Sequence, residues 1–72
     1  MKGFIEVRYN ETPILVSMDN ILAVNAGREY RGHRECTLFL ARSIPLAQAM
    51  SNCINPDESY DEIKRRIEEA MK

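Results

Sequence analysis

The chain has no tryptophan, one histidine, two cysteines, three glycines and three prolines among its 72 residues. Each scarcity removes a reading. So few glycines and prolines, beside 44% hydrophobic and 29% charged residues, exclude a low-complexity or disordered chain. Gly3, Gly27 and Gly32 are too scattered for a phosphate-cradling loop, and none of them opens a helix. Cys36 and Cys53 have sixteen residues between them and belong to no C-x-x-C unit, so neither a zinc site nor a thioredoxin-like redox motif is indicated. Long apolar runs are missing as well. Glu6, Arg8, Glu11, Asp19, Arg28 and Arg42 interrupt every stretch before it reaches the roughly 20 apolar residues of a spanning helix. Met1-Lys2-Gly3-Phe4-Ile5 runs at once into Glu6 and Arg8, without the apolar core of a secretory leader, and a cytoplasmic location is expected. A chain this short supports one α+β domain, residues 1–72, because a second unit could not bury a core of its own.

A surplus of charge of one sign is also lacking. The net charge is −1, so no global field draws the chain to nucleic acid or to an anionic membrane, and no membrane partner is expected. The charge is nevertheless uneven. Residues 1–27 carry −1, residues 57–72 carry −2, and residues 28–56 carry +2, through Arg28, Arg31, Arg34 and Arg42.

The first half has the patterning of strands. Ile5, Val7 and Tyr9 alternate with Glu6 and Arg8, as in a strand with one wet face. Asn10-Glu11-Thr12 supplies a polar turn, Pro13 opens the next strand, and Ile14-Leu15-Val16 continues it, which predicts an antiparallel hairpin. Met18-Asp19-Asn20 breaks the run. A third strand starts at Ile21-Leu22-Ala23-Val24, extends to about Ala26 and ends at Gly27. Arg28 to Glu35, polar and centred on Gly32, is expected to form a hairpin loop. Cys36 to Ala41 is the return strand. Both of its alternating sets are apolar, Cys36, Leu38 and Leu40 on one side and Thr37, Phe39 and Ala41 on the other. Such a strand is covered on both faces, or it gives one face to a subunit contact.

From Tyr60 onward, Tyr60, Ile63, Ile67, Ala70 and Met71 recur at helical spacing. Ser59-Tyr60-Asp61-Glu62 matches a capping box in which Ser59 and Glu62 satisfy backbone donors reciprocally, and Asn55-Pro56 offers an alternative start one turn earlier. The polar face pairs Asp61 with Arg65, Glu62 with Arg66, Lys64 with Glu68 and Arg65 with Glu69, each four apart. Between these regions, Ser43-Ile44-Pro45 through Met50 is read as a short extra helix at about 45–52. A fifth, edge strand containing Ile44 or Ile54 is the competing assignment. The expected fold is therefore a small, mostly antiparallel sheet of four to five strands packed by a C-terminal helix.

Catalysis finds little support. His33 lies in a polar segment between Arg31 and Arg34, where a base would be mobile, and a pairing with Cys36 rests on spacing alone. No catalytic, cofactor or metal site is assigned, and the two thiols are read as reduced structural cysteines, with a disulfide as the alternative that geometry decides. The segment able to carry recognition is Arg28-Glu29-Tyr30-Arg31-Gly32-His33-Arg34-Glu35. Arg28, Tyr30, Arg31, His33 and Arg34 combine phosphate ligands with rings on which a base can stack. The plainer reading is a solvated loop whose arginines and glutamates pair locally. The surplus of apolar residues is the stronger clue, since one helix covers one side of a sheet and small cores are often completed by oligomerisation. A homodimer using Phe39, Leu46 and Met50, or a protein partner on the same patch, is expected. The chain reads as a non-enzymatic interaction or assembly module, with a nucleic-acid-binding regulator working through loop 28–34 as the alternative.

The succession Phe4-Ile5-Glu6-Val7, Pro13-Ile14-Leu15-Val16, Asp19-Asn20-Ile21 with Val24, Thr37-Leu38, and Glu58-Ser59-Tyr60-Asp61-Glu62-Ile63 resembles small bacterial proteins of the FlbD type, associated with flagella and swarming motility. The likeness covers most of the chain. It departs where the family's Asn-Gly turn is Asn10-Glu11, where its short second hairpin is replaced by the arginine-rich segment, and in an extra segment from about Ser43 to Cys53. The resemblance implies a small sheet packed by a C-terminal helix, and it brings no catalytic residues.

Overall fold

The structure, a computed structural model, describes residues 3–47 and 49–72. Met1 and Lys2, on which the leader reading partly rests, and Gln48, within the segment assigned to a short helix, lie outside the described residues. β1 (Phe4–Tyr9) and β2 (Thr12–Ser17) form a two-stranded antiparallel sheet. A 3-10 turn (Met18–Asn20) leads to β3 (Ile21–Tyr30), β4 (His33–Leu46) and β5 (Ala49–Ile54), which form a three-stranded antiparallel sheet in the order β3-β4-β5. The helix α1 (Tyr60–Ala70) ends the chain. The fold is thus α+β and antiparallel, with the strands divided between two sheets instead of joined in one.

The first hairpin follows its alternation. Ile5 and Val7 are buried, Tyr9 is half-buried, and Glu6 and Arg8 are exposed. Its turn is Asn10-Glu11, with φ of 49° and 67°, the two-residue form whose twist suits a hairpin. Holding Glu11 in the left-handed region costs about 1–2 kcal/mol. The Asp57 carboxylate offsets that cost by accepting from the N–H groups of Asn10 (3.2 Å) and Glu11 (2.7 Å). Beside it, the Arg8 N–H donates to Glu58 Oε1 at 2.9 Å, and the Arg8 carbonyl accepts from the Asp57 N–H at 2.7 Å. Arg8 therefore spends its backbone groups on residues 57–58, away from β2. Its register partner there is Pro13, which has no N–H to offer.

The second hairpin is longer than its apolar pattern. β3 runs to Tyr30 and β4 begins at His33, so the expected loop 28–35 is a pair of strands closed by Arg31-Gly32, whose φ values are 53° and 80°. The reason is backbone geometry: once Arg31-Gly32 adopts the tight turn, the ladder continues without a core beneath it. A register shift between Ala26 and Glu29 places Gly27 against Glu35, and a Cβ on Gly27 would lie 3.1 Å from that of Glu35.

The helix expected at 45–52 is instead the end of β4 and the whole of β5, joined through Ala47 at φ 54°. The edge-strand alternative is the one adopted. Here the tertiary fold overrides local propensity. Doubling back seats both Leu46 and Ile54 in the core, at 7% and 0% exposure. A break in the β4–β5 register between Phe39 and Ile44 accompanies the fold-back, and on the β3 side of β4 the buried Asn20 prolongs the ladder past Ile21 and Leu40. The Asn20 amide acts as a short substitute strand, with Nδ2 donating to the Arg42 carbonyl (3.1 Å) and Oδ1 accepting from the Arg42 N–H (2.8 Å).

The core draws on both sheets and the helix: Ile5 and Val7, Val16, then Cys36, Leu38, Leu40 and Leu46 along β4, with Ile54 and Ile63. α1 enters at Ser59, whose Oγ accepts from the Glu62 N–H at 3.3 Å. The expected capping box is only half used, because the Glu62 carboxylate turns to Arg65 and Arg66. Burial of Ile63, the pivot of the apolar stripe, is worth roughly 1.5–3 kcal/mol.

Candidate interaction surfaces

Two surfaces carry the residues singled out in the sequence. The first is the arm formed by the far end of the β3–β4 hairpin. The last core residue along it is Cys36, opposite the exposed Ala26; beyond lie Glu29 opposite Arg34, Tyr30 opposite His33, and the Arg31-Gly32 turn. Directly opposed residues share a face, so Tyr30 and His33 are side by side on the face away from Cys36. Arg28, Tyr30, Arg31 and His33 are exposed and Arg34 is half-buried. The Arg31 guanidinium lies 5.7 Å from the centroid of the Tyr30 ring, within cation–π distance, and Tyr30 remains 65% exposed.

The local Arg–Glu pairing expected of a solvated loop is not formed. Among the described residues, all the ion pairs are made by Arg65 and Arg66, and none reaches Arg28, Arg31 or Arg34. An exposed pair gains about 0–1 kcal/mol against the freedom of two long side chains, too little to close Arg34 onto Glu29 across the ladder. On the helix the partners are one turn apart. Arg65 bridges Glu62 and Glu69; Arg66 bridges Glu58 (2.6 Å) and Glu62 (2.9 Å) and donates to the Glu6 carbonyl (2.6 Å). Two of the four expected pairs are present, Glu62–Arg66 and Arg65–Glu69, while Arg65 takes Glu62 in place of Asp61. Hydrogen bonds from Arg65 and then Arg66 hold the Glu62 carboxyl below the usual carboxylate range.

The second surface is the face of the three-stranded sheet turned away from the core. Phe39, 38% exposed, lies between its register partners Ala23 on β3 and Cys53 on β5. Asn25 and Thr37 are opposed on the same face, and the Thr37 hydroxyl donates to Asn55 Oδ1 at 2.9 Å. Met50, 64% exposed, faces Pro45 near the β4–β5 turn, and Leu22, 71% exposed, bulges from β3. Of the three residues expected at a subunit contact, Phe39 and Met50 are exposed and Leu46 is not. Leu46 alternates with Pro45, and the fold-back that brings Met50 outward turns Leu46 into the core. Ala23 and Cys53 join the surface without having been signalled by the sequence, since only the register places them around Phe39.

The thiols and the histidine are kept apart. Cys36 points into the core and His33 lies on the opposite face of the same strand, while Cys53 is exposed. Both cysteines are free. Burial, and then the nearby Glu58 carboxylate, push the Cys36 thiol up to about 11, which keeps it protonated and unreactive at neutral pH. Among the described residues no cluster of three or more His, Cys, Asp or Glu side chains is arranged to hold a metal ion. No helix among them is long and apolar enough to cross a membrane. An open groove of about 390 Å³ separates β1 from the end of α1, lined by Phe4, Ile5, Glu6, Arg66, Glu69, Ala70 and Lys72. Compared with protein-family models, curated proteins and solved structures, the chain matches none.

Proposed function

We propose that this chain is a non-enzymatic assembly module that associates with a second copy of itself through the open face of its three-stranded sheet. The observation that carries the reading is the exposure of Phe39, Met50 and Leu22 on a three-stranded sheet whose other face is closed by the core. A second copy suits it because the surroundings of Phe39 carry no charge: Ala23, Asn25, Thr37, Cys53 and Asn55 are all neutral. A two-fold contact sets a patch against itself, so a charge-free patch meets no like charge. The overall charge of −1 adds no long-range repulsion. The resemblance to FlbD-type proteins belongs to the same proposal, supported by the order of two hairpins and a helix entered at Ser59. So does action in the cytoplasm, where free thiols persist.

Light scattering across a concentration series tests this reading. The wild-type chain is expected to give a dimer mass, and the combined Phe39→Glu and Met50→Lys variant a monomer with an unchanged far-ultraviolet spectrum. A wild-type monomer at every concentration would overturn the proposal. So would a dimer indifferent to both substitutions. The nucleic-acid alternative attaches to a separate surface, the arm.

A further inference from the structure

We infer that the β3–β4 arm is a binding site for a single strand of nucleic acid that wraps the ribbon, with Arg28, Arg31 and, on the face opposite Tyr30, Arg34 as phosphate ligands and Tyr30 as the platform on which a base stacks. The inference does not rest on self-association: His33, at the arm, and Phe39, at the centre of the open face, are six residues apart on β4, about 20 Å. Three observations combine. The arginines have no carboxylate partner among the described residues, so a phosphate displaces no existing ion pair. Phosphate is the anion for which the planar guanidinium fork is best suited. Tyr30 is 65% exposed, with Arg31 beside its ring and His33 as its register neighbour, which groups flat side chains with cations in the combination that holds unpaired bases. An acidic protein partner would use the arginines and leave the rings without a role. A duplex would keep its bases stacked away from Tyr30, and this points to a single strand.

Glu29 and Glu35 temper the arm to a net charge of +1, which sets the affinity low and gives the test a second sign. Binding of the full chain to a labelled mixed-sequence single-stranded DNA of about twelve nucleotides is followed by fluorescence anisotropy at rising salt. Three phosphate contacts predict a slope of about −2 in log K against log salt. The combined Arg28→Gln, Arg31→Asn and Arg34→Gln variant is expected to weaken binding at least tenfold at low salt and to flatten the slope. Asn at 31 forms the favoured Asn-Gly turn, so lost binding is not lost folding. Tyr30→Leu should weaken binding roughly fivefold to a hundredfold with the slope unchanged, as loss of one base stack does. Glu29→Gln with Glu35→Gln should tighten it. No binding at low salt, or equal binding by the arginine variant, overturns the proposal. Tighter binding of the matching duplex overturns the stacking role, and stronger competition by polyglutamate than by unlabelled DNA reassigns the arm to an acidic protein.

Discussion

The arginines of the helix and those of the arm are the same side chain in two settings. Arg65 and Arg66 lie one turn from glutamates, and Arg66 also reaches Glu58 and the Glu6 carbonyl, so their charge is spent joining α1 to the turn before it and to β1. Arg28, Arg31 and Arg34 stand on a two-stranded ribbon beyond Cys36, the last core residue on that end of β4, and no described carboxylate closes on them. Helical periodicity places opposite charges in contact three or four residues apart, whereas a ladder spreads the same charges over two faces and a bulge. The difference separates charge that stabilises the fold from charge left available to a ligand.

The strongest way to break this comparison is to loosen the body while leaving the arm intact. Asn20→Ala leaves the Arg42 N–H and carbonyl without their partners beside a buried site, and is expected to lower stability by about 1–3 kcal/mol, read from the urea midpoint. A neutral outcome would mean that β4 needs no clasp at Arg42. The comparison is sharpened by matched substitutions. Arg66→Gln removes the partner of Glu58, whose side chain is 10% exposed, and should cost about 1–2 kcal/mol, whereas Arg34→Gln should stay within about 0.5 kcal/mol in the same melts. Equal effects would erase the distinction. The smallest effect concerns pH. Because Glu62 is held below its ordinary 4.5 in the folded chain, its contribution is present above that pH and is lost as pH falls through the lower folded value. Glu62→Gln should therefore show a shallower loss of stability in acid than the wild type, with the two curves running parallel above pH 4.5.

Local patterning carried much of this in advance. The alternation of Ile5, Val7 and Tyr9, the break at Met18-Asp19-Asn20 and the stripe of Tyr60, Ile63 and Ile67 behind Ser59 were legible because each depends on neighbours a few residues away. The segment from Ser43 to Ile54 was not, since helix formers such as Leu46, Ala49 and Met50 took the strand form that seats Leu46 and Ile54 in one core. At the candidate sites, Phe39 and Met50 were legible as apolar residues in excess and the arm as a cluster of arginines. The burial of Leu46, beside an outward Met50, lies beyond a register shift between Phe39 and Ile44 that leaves no local trace.

By itself the sequence determined the α+β class, the first hairpin, the terminal helix and the residue types able to meet a partner, because period, caps and turn residues act over single turns and adjacent strands. Only the tertiary structure decided that the strands split into two sheets, that residues 57–58 close the open edge of β1, that Asn20 substitutes for a strand at Arg42, and that the arm's arginines stay unpaired. The contacts that close β1 and clasp Arg42 join groups at sequence separations of 50 for Arg8 and Glu58 and 22 for Asn20 and Arg42, and the balance of hydrogen bonds and burial at such separations exists only once the chain has closed on itself.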